Sequence, residues 1–147
     1  AEATEFIRYT DPYFGLNELD IVKLIRSVNS TIPIFILTSR KHQQDTLVRQ
    51  PWDDAYQSYW MMAVSDSDPG EVTIIIIGNT LTAEHPIHDR WLLCKNNGLR
   101  IGTSIKSIGG AKVSEVSNLS ATETEDRLNE FQRCVDDRSF RLLSFKL

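Results

Sequence analysis

Apolar residues along the chain fall into two rhythms: short continuous runs, and longer stretches that repeat with the period of a helix. Residues 5–9 read as a strand, closed by the loop signal Asp11-Pro12-Tyr13-Phe14-Gly15. Over residues 16–28, Leu16, Leu19, Ile21, Val22, Leu24, Ile25 and Val28 recur at helical spacing. That spacing predicts an amphipathic helix, with Asn17 or the preceding glycine as its cap. Residues 32–37 form a short isoleucine-rich run, the mark of a strand buried on both faces. The run ends in a polar and basic cluster, Thr38-Ser39-Arg40-Lys41-His42. Strand, helix and strand in this order predict two parallel strands joined by a crossover.

Pro51-Trp52-Asp53-Asp54 opens a second helical pattern that runs to about Ser65. Proline suits the first turn, and the acids there complement the helix dipole. Trp52, Tyr56, Tyr59, Trp60 and Met61 lie along it; packing into the core is the preferred reading over a stacking platform for bases. Asp66-Ser67-Asp68-Pro69-Gly70 breaks the helix, and residues 71–78 are the most apolar strand of the chain. Residues 79–87 read as a loop. Residues 113–119 predict a further short strand. Ser120-Ala121-Thr122-Glu123 is a capping-box signature for a last helix reaching about Val135, with Leu128, Phe131 and Val135 inward. Residues 139–147 are compatible with a closing strand or a short helix. The order of elements predicts one α/β domain over residues 1–147, a mixed central sheet flanked by helices.

Between these elements, residues 88–104 read as a hairpin. Trp91 to Cys94 form one arm, Asn96-Asn97-Gly98 the turn, and Leu99 and Ile101 the other arm. Asn-Gly would supply the positive φ angles of a tight turn. Period-two alternation places His88 and Arg90 on one face at the entry, with Asp89 and Trp91 on the other. Gly102-Thr103-Ser104 lies at the exit. An imidazole and a guanidinium beside a hydroxyl-bearing turn make a candidate phosphate site. In an open α/β sheet the ligand crevice lies beyond the carboxyl ends of the strands. Asp11, Tyr13, Ser39, Arg40, Lys41 and His42 are therefore expected at the same edge, in place of simple turn chemistry and a solvated loop.

The spacing of this hairpin resembles the half-site of the phospholipase D superfamily, H-x-K-(x)4-D-(x)6-G-S-x-N. Counting from His88, Arg90 stands at the lysine, Lys95 at the aspartate, Gly102 at the glycine, Thr103 at the serine and Ile105 at the asparagine. The His-Asp-Arg form is similar to the phospholipase D-like C-terminal domains that follow microtubule-interacting-and-trafficking modules. The resemblance implies a phospholipase D-like fold with His88 and Arg90 as its catalytic pair. The resemblance places Lys95, Thr103 and Ser104 around phosphate, and the strand-end crevice adds Ser39 and Arg40, with Asp11, Tyr13 and His42 supporting. In the superfamily one histidine attacks phosphorus and a second protonates the leaving oxygen, so two half-sites are needed. This chain carries one, and activity would require a homodimer or an unusual partner such as His42 or His85. Arginine for lysine keeps the charge but not its shape. Lysine for the aspartate reverses the charge that would orient the histidine.

Composition narrows the picture further. The chain has 147 residues, 41% hydrophobic and 24% charged, ordinary for a globular domain. A net charge of −4 argues against general nucleic-acid binding by bulk charge, so any polyanion site is a local patch. Two cysteines make no disulfide framework, which favours a reducing cytoplasmic setting. The longest aliphatic run is too short for a transmembrane segment. An opening alanine suggests a domain excised from a longer protein with other domains. No metal or cofactor is expected: Pro86 separates His85 from His88, and the cysteines lack ligand spacing. The preferred expectation is a catalytically degenerate module that binds the phosphate of a nucleic acid, lipid headgroup or other phosphorylated partner. The alternative is a homodimeric phosphodiesterase or nuclease working through a His88 phosphohistidine.

Overall fold

The computed structural model describes residues 5–79, 82, 84–101, 116–137 and 141–147. Their centre is a seven-stranded mixed sheet in the order β6-β5-β4-β1-β2-β3-β7. β1 (Ile7–Thr10), β2 (Ile34–Ser39) and β3 (Val72–Gly78) run parallel, with Tyr9 beside Ile36 and Ile36 beside Ile74. β4 (Arg90–Leu93) lies antiparallel to β1, and β5 (Gly98–Ile101) returns antiparallel to β4. β6 (Val116–Asn118) and β7 (Arg141–Lys146) close the two edges, so the C-terminal segment is a strand, paired antiparallel with β3. The α/β class and mixed sheet follow the hydrophobic pattern.

Alternation along the strands divides the core. Ile34, Ile36, Val72, Ile74 and Ile76 pack with α1 (Asp20–Val28) and α3 (Trp52–Tyr59) on one face. Leu37, Ile75 and Ile77 meet Phe131 and Cys134 of α4 (Ala121–Asp136) on the other. Every position of β3 is buried, as expected for a central strand covered on both sides. In α3, Trp52, Tyr56 and the following Trp60 recur every four residues and face inward. Both indole N–H groups are satisfied, Trp52 by the Val48 carbonyl and Trp60 by the Ser67 carbonyl. These aromatics are core, as preferred. The capping box of α4 is present in both halves.

Four local expectations change. Residues 16–28 are not one helix: a 3-10 turn, Leu16–Leu19, precedes α1, and Asn17 caps neither, its side chain instead accepting from the Tyr59 hydroxyl. Leu24 and Val28 share the helical spacing but point outward. The second helical pattern is α3 followed by a π-helical turn, Trp60–Val64, in which the Ser65 N–H reaches back to the Trp60 carbonyl. The basic cluster after β2 is a helix, α2 (Arg40–Asp45), because Ser39 caps it by accepting from the His42 N–H. Finally, no residue of the β4–β5 turn has positive φ. Gly98 is instead a point of close approach: a Cβ there would stand 2.9 Å from a Leu119 methyl and 3.0 Å from a Leu93 methyl.

Candidate functional site

The parallel strands β1, β2 and β3 end at Thr10, Ser39 and Gly78, on one edge of the sheet. Because β4 is antiparallel to β1, with Trp91 opposite Thr10, its first residue Arg90 arrives level with Asp11. The two side chains form an ion pair, Arg90 Nε to Asp11 Oδ1 at 3.3 Å. Asp11 is fully buried, and a buried carboxylate needs compensation. It receives the Tyr9 hydroxyl on Oδ2 at 2.9 Å and the Tyr13 backbone N–H on Oδ1 at 2.8 Å. The Arg90 guanidinium lies 5.0 Å from the centre of the Tyr13 ring, a cation–π arrangement. Tyr13 in turn meets the His42 ring edge-on, 6.0 Å between centres.

The loop that carries Asp11 and Tyr13 is fastened to the end of β2. Ser39 Oγ donates to the Pro12 carbonyl at 2.7 Å, and Thr38 Oγ1 donates to the Phe14 carbonyl at 2.8 Å. Buried Gln43 donates to the Phe14 and Ser39 carbonyls, and its own carbonyl accepts from the Tyr56 hydroxyl. Gly15 lets the loop close on His42, since a Cβ there would come within 3.2 Å of the ring. Burial pushes the His42 imidazole below its ordinary pKa; Asp11 and then Asp45 oppose that shift.

Asp11, Tyr13, Ser39, His42 and Arg90 are thus one connected group at the expected edge. The other sequence candidates go elsewhere. Arg40 turns toward α3 and stacks over Trp52 at 5.0 Å, in a groove with Gln50, Leu142 and Leu143. Lys95 lies beyond Leu93 at the opposite end of β4, beside Glu5, Phe6 and Ile32. Thr103 and Ser104 lie outside the described residues, although β5 brings Ile101 opposite Arg90 before them. His88 does not share a face with Arg90. The strand begins only at Arg90, so alternation does not govern His88 or Asp89; both line a cavity beneath α4 with Trp91.

His85, which belongs to no motif, stands beside His88 with ring centres 5.7 Å apart. Pro86 excludes a helix but not this loop pairing. Burial lowers the His85 pKa, and His88 and Lys41 lower it further, against an opposing contribution from the Ile87 backbone. The sequence reading also missed the Tyr9 hydroxyl. Its signal was present: in a strand, residue i lies on the same face as i+2, so Tyr9 points toward Asp11. Among the described residues, no group of three or more His, Cys, Asp or Glu side chains is placed to hold a metal ion. Cys94 and Cys134 are free thiols whose pKa values burial pushes up, contrary to the needs of a thiolate nucleophile.

Taken together, the edge offers a guanidinium positioned by a buried carboxylate and an aromatic ring, and two adjacent imidazoles, while the Lys41 ammonium nearby is paired with Asp45. Chemically this can hold an anion; acid–base work would fall to His85 and His88. Compared with models of known protein families and with curated proteins, the chain matches none.

Proposed function

We propose that the domain is a catalytically degenerate phospholipase D-like module that binds a phosphate group at the carboxyl edge of β1 and β2. The observation that carries this reading is the placement of Arg90 at that edge, held by Asp11 and Tyr13. A guanidinium fixed in this way is prepared to present donors to a phosphate with little loss of side-chain freedom. The same geometry supports the degenerate half of the reading. The Asp11 carboxylate serves Tyr9, Tyr13 and Arg90, whereas Lys95, at the family's aspartate position, sits at the far edge. The histidine therefore lacks the orienting carboxylate that the half-site pattern would supply.

The His85–His88 pair favours a second reading, a phosphodiesterase or nuclease, with a homodimer as the other route to two histidines. Binding of inorganic phosphate and hydrolysis of bis(p-nitrophenyl) phosphate and single-stranded DNA separate the two readings. The module binds phosphate, binding weakens as salt rises, and Arg90→Ala removes it, with no turnover in any variant. Metal-independent turnover that disappears in His88→Ala overturns this conclusion in favour of the enzyme. Solution mass and His85→Ala then distinguish a dimeric histidine pair from one within a single chain.

A further inference from the structure

On the sheet face opposite α1 and α3, a cavity of about 60 Å3 opens between the strands and α4. Leu37, Trp91, Phe131 and Cys134 are among the residues that line it. A water fills roughly 10–15 Å3 of such space, so the cavity holds on the order of five waters, the bulk of one small ring. A single ring fills that space, whereas part of a fused two-ring system would stand outside it. The rim is polar in both senses. Asp89 and Glu130 offer acceptors, and Arg127 offers donors. Arg127 is fixed there, paired with Glu130 and stacked 5.2 Å over the Trp91 ring. A ligand fitting this rim presents N–H donors to the carboxylates and a carbonyl oxygen to the guanidinium.

The cavity also adjoins the phosphate edge. Thr10 on its wall immediately precedes Asp11, and Trp91 immediately follows Arg90, so the ring space and the guanidinium lie on either side of the same strand ends. Exposed His88 lines the cavity two residues before Arg90, on the segment that leads into β4. The geometry points to a nucleotide subsite: the cavity takes the base of a pyrimidine nucleotide bearing an exocyclic amine, while its phosphate lies at the edge with Arg90 and His88. This deepens the phosphate-binding reading and rests on it. The ring size favours pyrimidines over purines, and the two rim carboxylates favour an amine over a second carbonyl, so cytosine is preferred to uracil.

The test is calorimetric titration of the intact chain with cytidine 5′-monophosphate, uridine 5′-monophosphate, adenosine 5′-monophosphate, ribose 5-phosphate, glycerol 3-phosphate and cytidine. The cytidine nucleotide binds at least tenfold more tightly than ribose 5-phosphate or the adenosine nucleotide. Cys134→Met, which fills the cavity, reduces that affinity to the level of ribose 5-phosphate. Glu130→Gln leaves the volume unchanged and narrows the preference over the uridine nucleotide, so the result does not depend on one overpacked variant. Equal binding of all the phosphates, insensitive to both variants, overturns the base subsite and leaves the phosphate reading standing, with glycerol 3-phosphate reporting a lipid-type headgroup. Cytidine binding as tightly as its nucleotide, unchanged in Arg90→Ala, overturns the phosphate reading and leaves the base subsite. Absence of binding by every compound overturns both.

Discussion

Single side chains carry different burdens in this molecule, and their identity alone does not announce which. Gly98 sits in an Asn-Gly pair, the sequence signal for a backbone of positive φ, yet its backbone is one that any residue adopts. What excludes a side chain is packing: Leu119, Leu93 and Thr124 all close on the space a Cβ would fill. Gly98→Ala therefore destabilises the domain by about 1–3 kcal/mol, the usual cost of forcing extra volume into a filled site. Urea unfolding checks this: an unchanged or raised midpoint refutes the packing argument, and Asn97→Ala in the same turn should have the smaller effect. The site shows the same limit of sequence reading. Asp11, Tyr13, Ser39, His42 and Arg90 were legible because strand-end loops converge by topology. His88 was misplaced because alternation was extended two residues before the strand begins. Lys95 was misplaced because a linear motif does not reveal that four strand residues carry the chain to the other edge.

Elements are held in place as much by backbone capture as by apolar faces. Arg26, near the end of α1, donates to the carbonyls of Asn29, Ile32, Pro69 and Glu71. It thereby ties the exit of α1, the entry to β2 and the turn before β3 into one unit. Gly70, at φ 77°, makes the bend that brings Pro69 and Glu71 against the guanidinium. Hydrogen bonds to a charged group contribute about 1.5–3 kcal/mol each at best, and partial exposure brings the sum down. Arg26→Ala should cost about 2–3 kcal/mol, and Arg26→Lys should recover less than half, because an ammonium cannot span the same fork. Full recovery by lysine in thermal unfolding would show that charge alone is what matters. Nothing in the local pattern distinguishes Arg26 from a solvated helix residue. By contrast, β3, the α3 aromatics and the α4 capping box were legible because each is encoded within a few neighbouring residues. Helix α2 was overlooked because it is almost wholly polar; its signal was Ser39 as a cap, not hydrophobic periodicity.

The molecule as a whole carries net charge −4, so anion binding at the edge rests on the directed donors of Arg90 and not on bulk charge. The cations there are matched by acids, Arg90 by Asp11 and Lys41 by Asp45, and the fold lowers the pKa of two of its histidines. His42 packs beside Tyr13 and Gly15, and His85 lies among His88, Lys41 and the Ile87 backbone. For both, burial is the largest influence and lowers the folded pKa below the ordinary 6.5; Asp11 and Asp45 only partly offset it at His42. The unfolded chain therefore binds these protons more readily than the folded chain. Stability from this source is fully present above about pH 6.5 and is lost as the pH falls through that value toward the lowered folded pKa values. Between pH 7.5 and 5.5 the urea midpoint should consequently decline. His42→Asn and His85→Asn should each flatten the decline, and the double variant should flatten it most. The slope is the informative quantity, because removing either ring also removes packing and shifts stability at every pH. A wild-type midpoint that rises on acidification, or a slope unchanged in the double variant, would show that the imidazoles are not what opposes protonation of the fold.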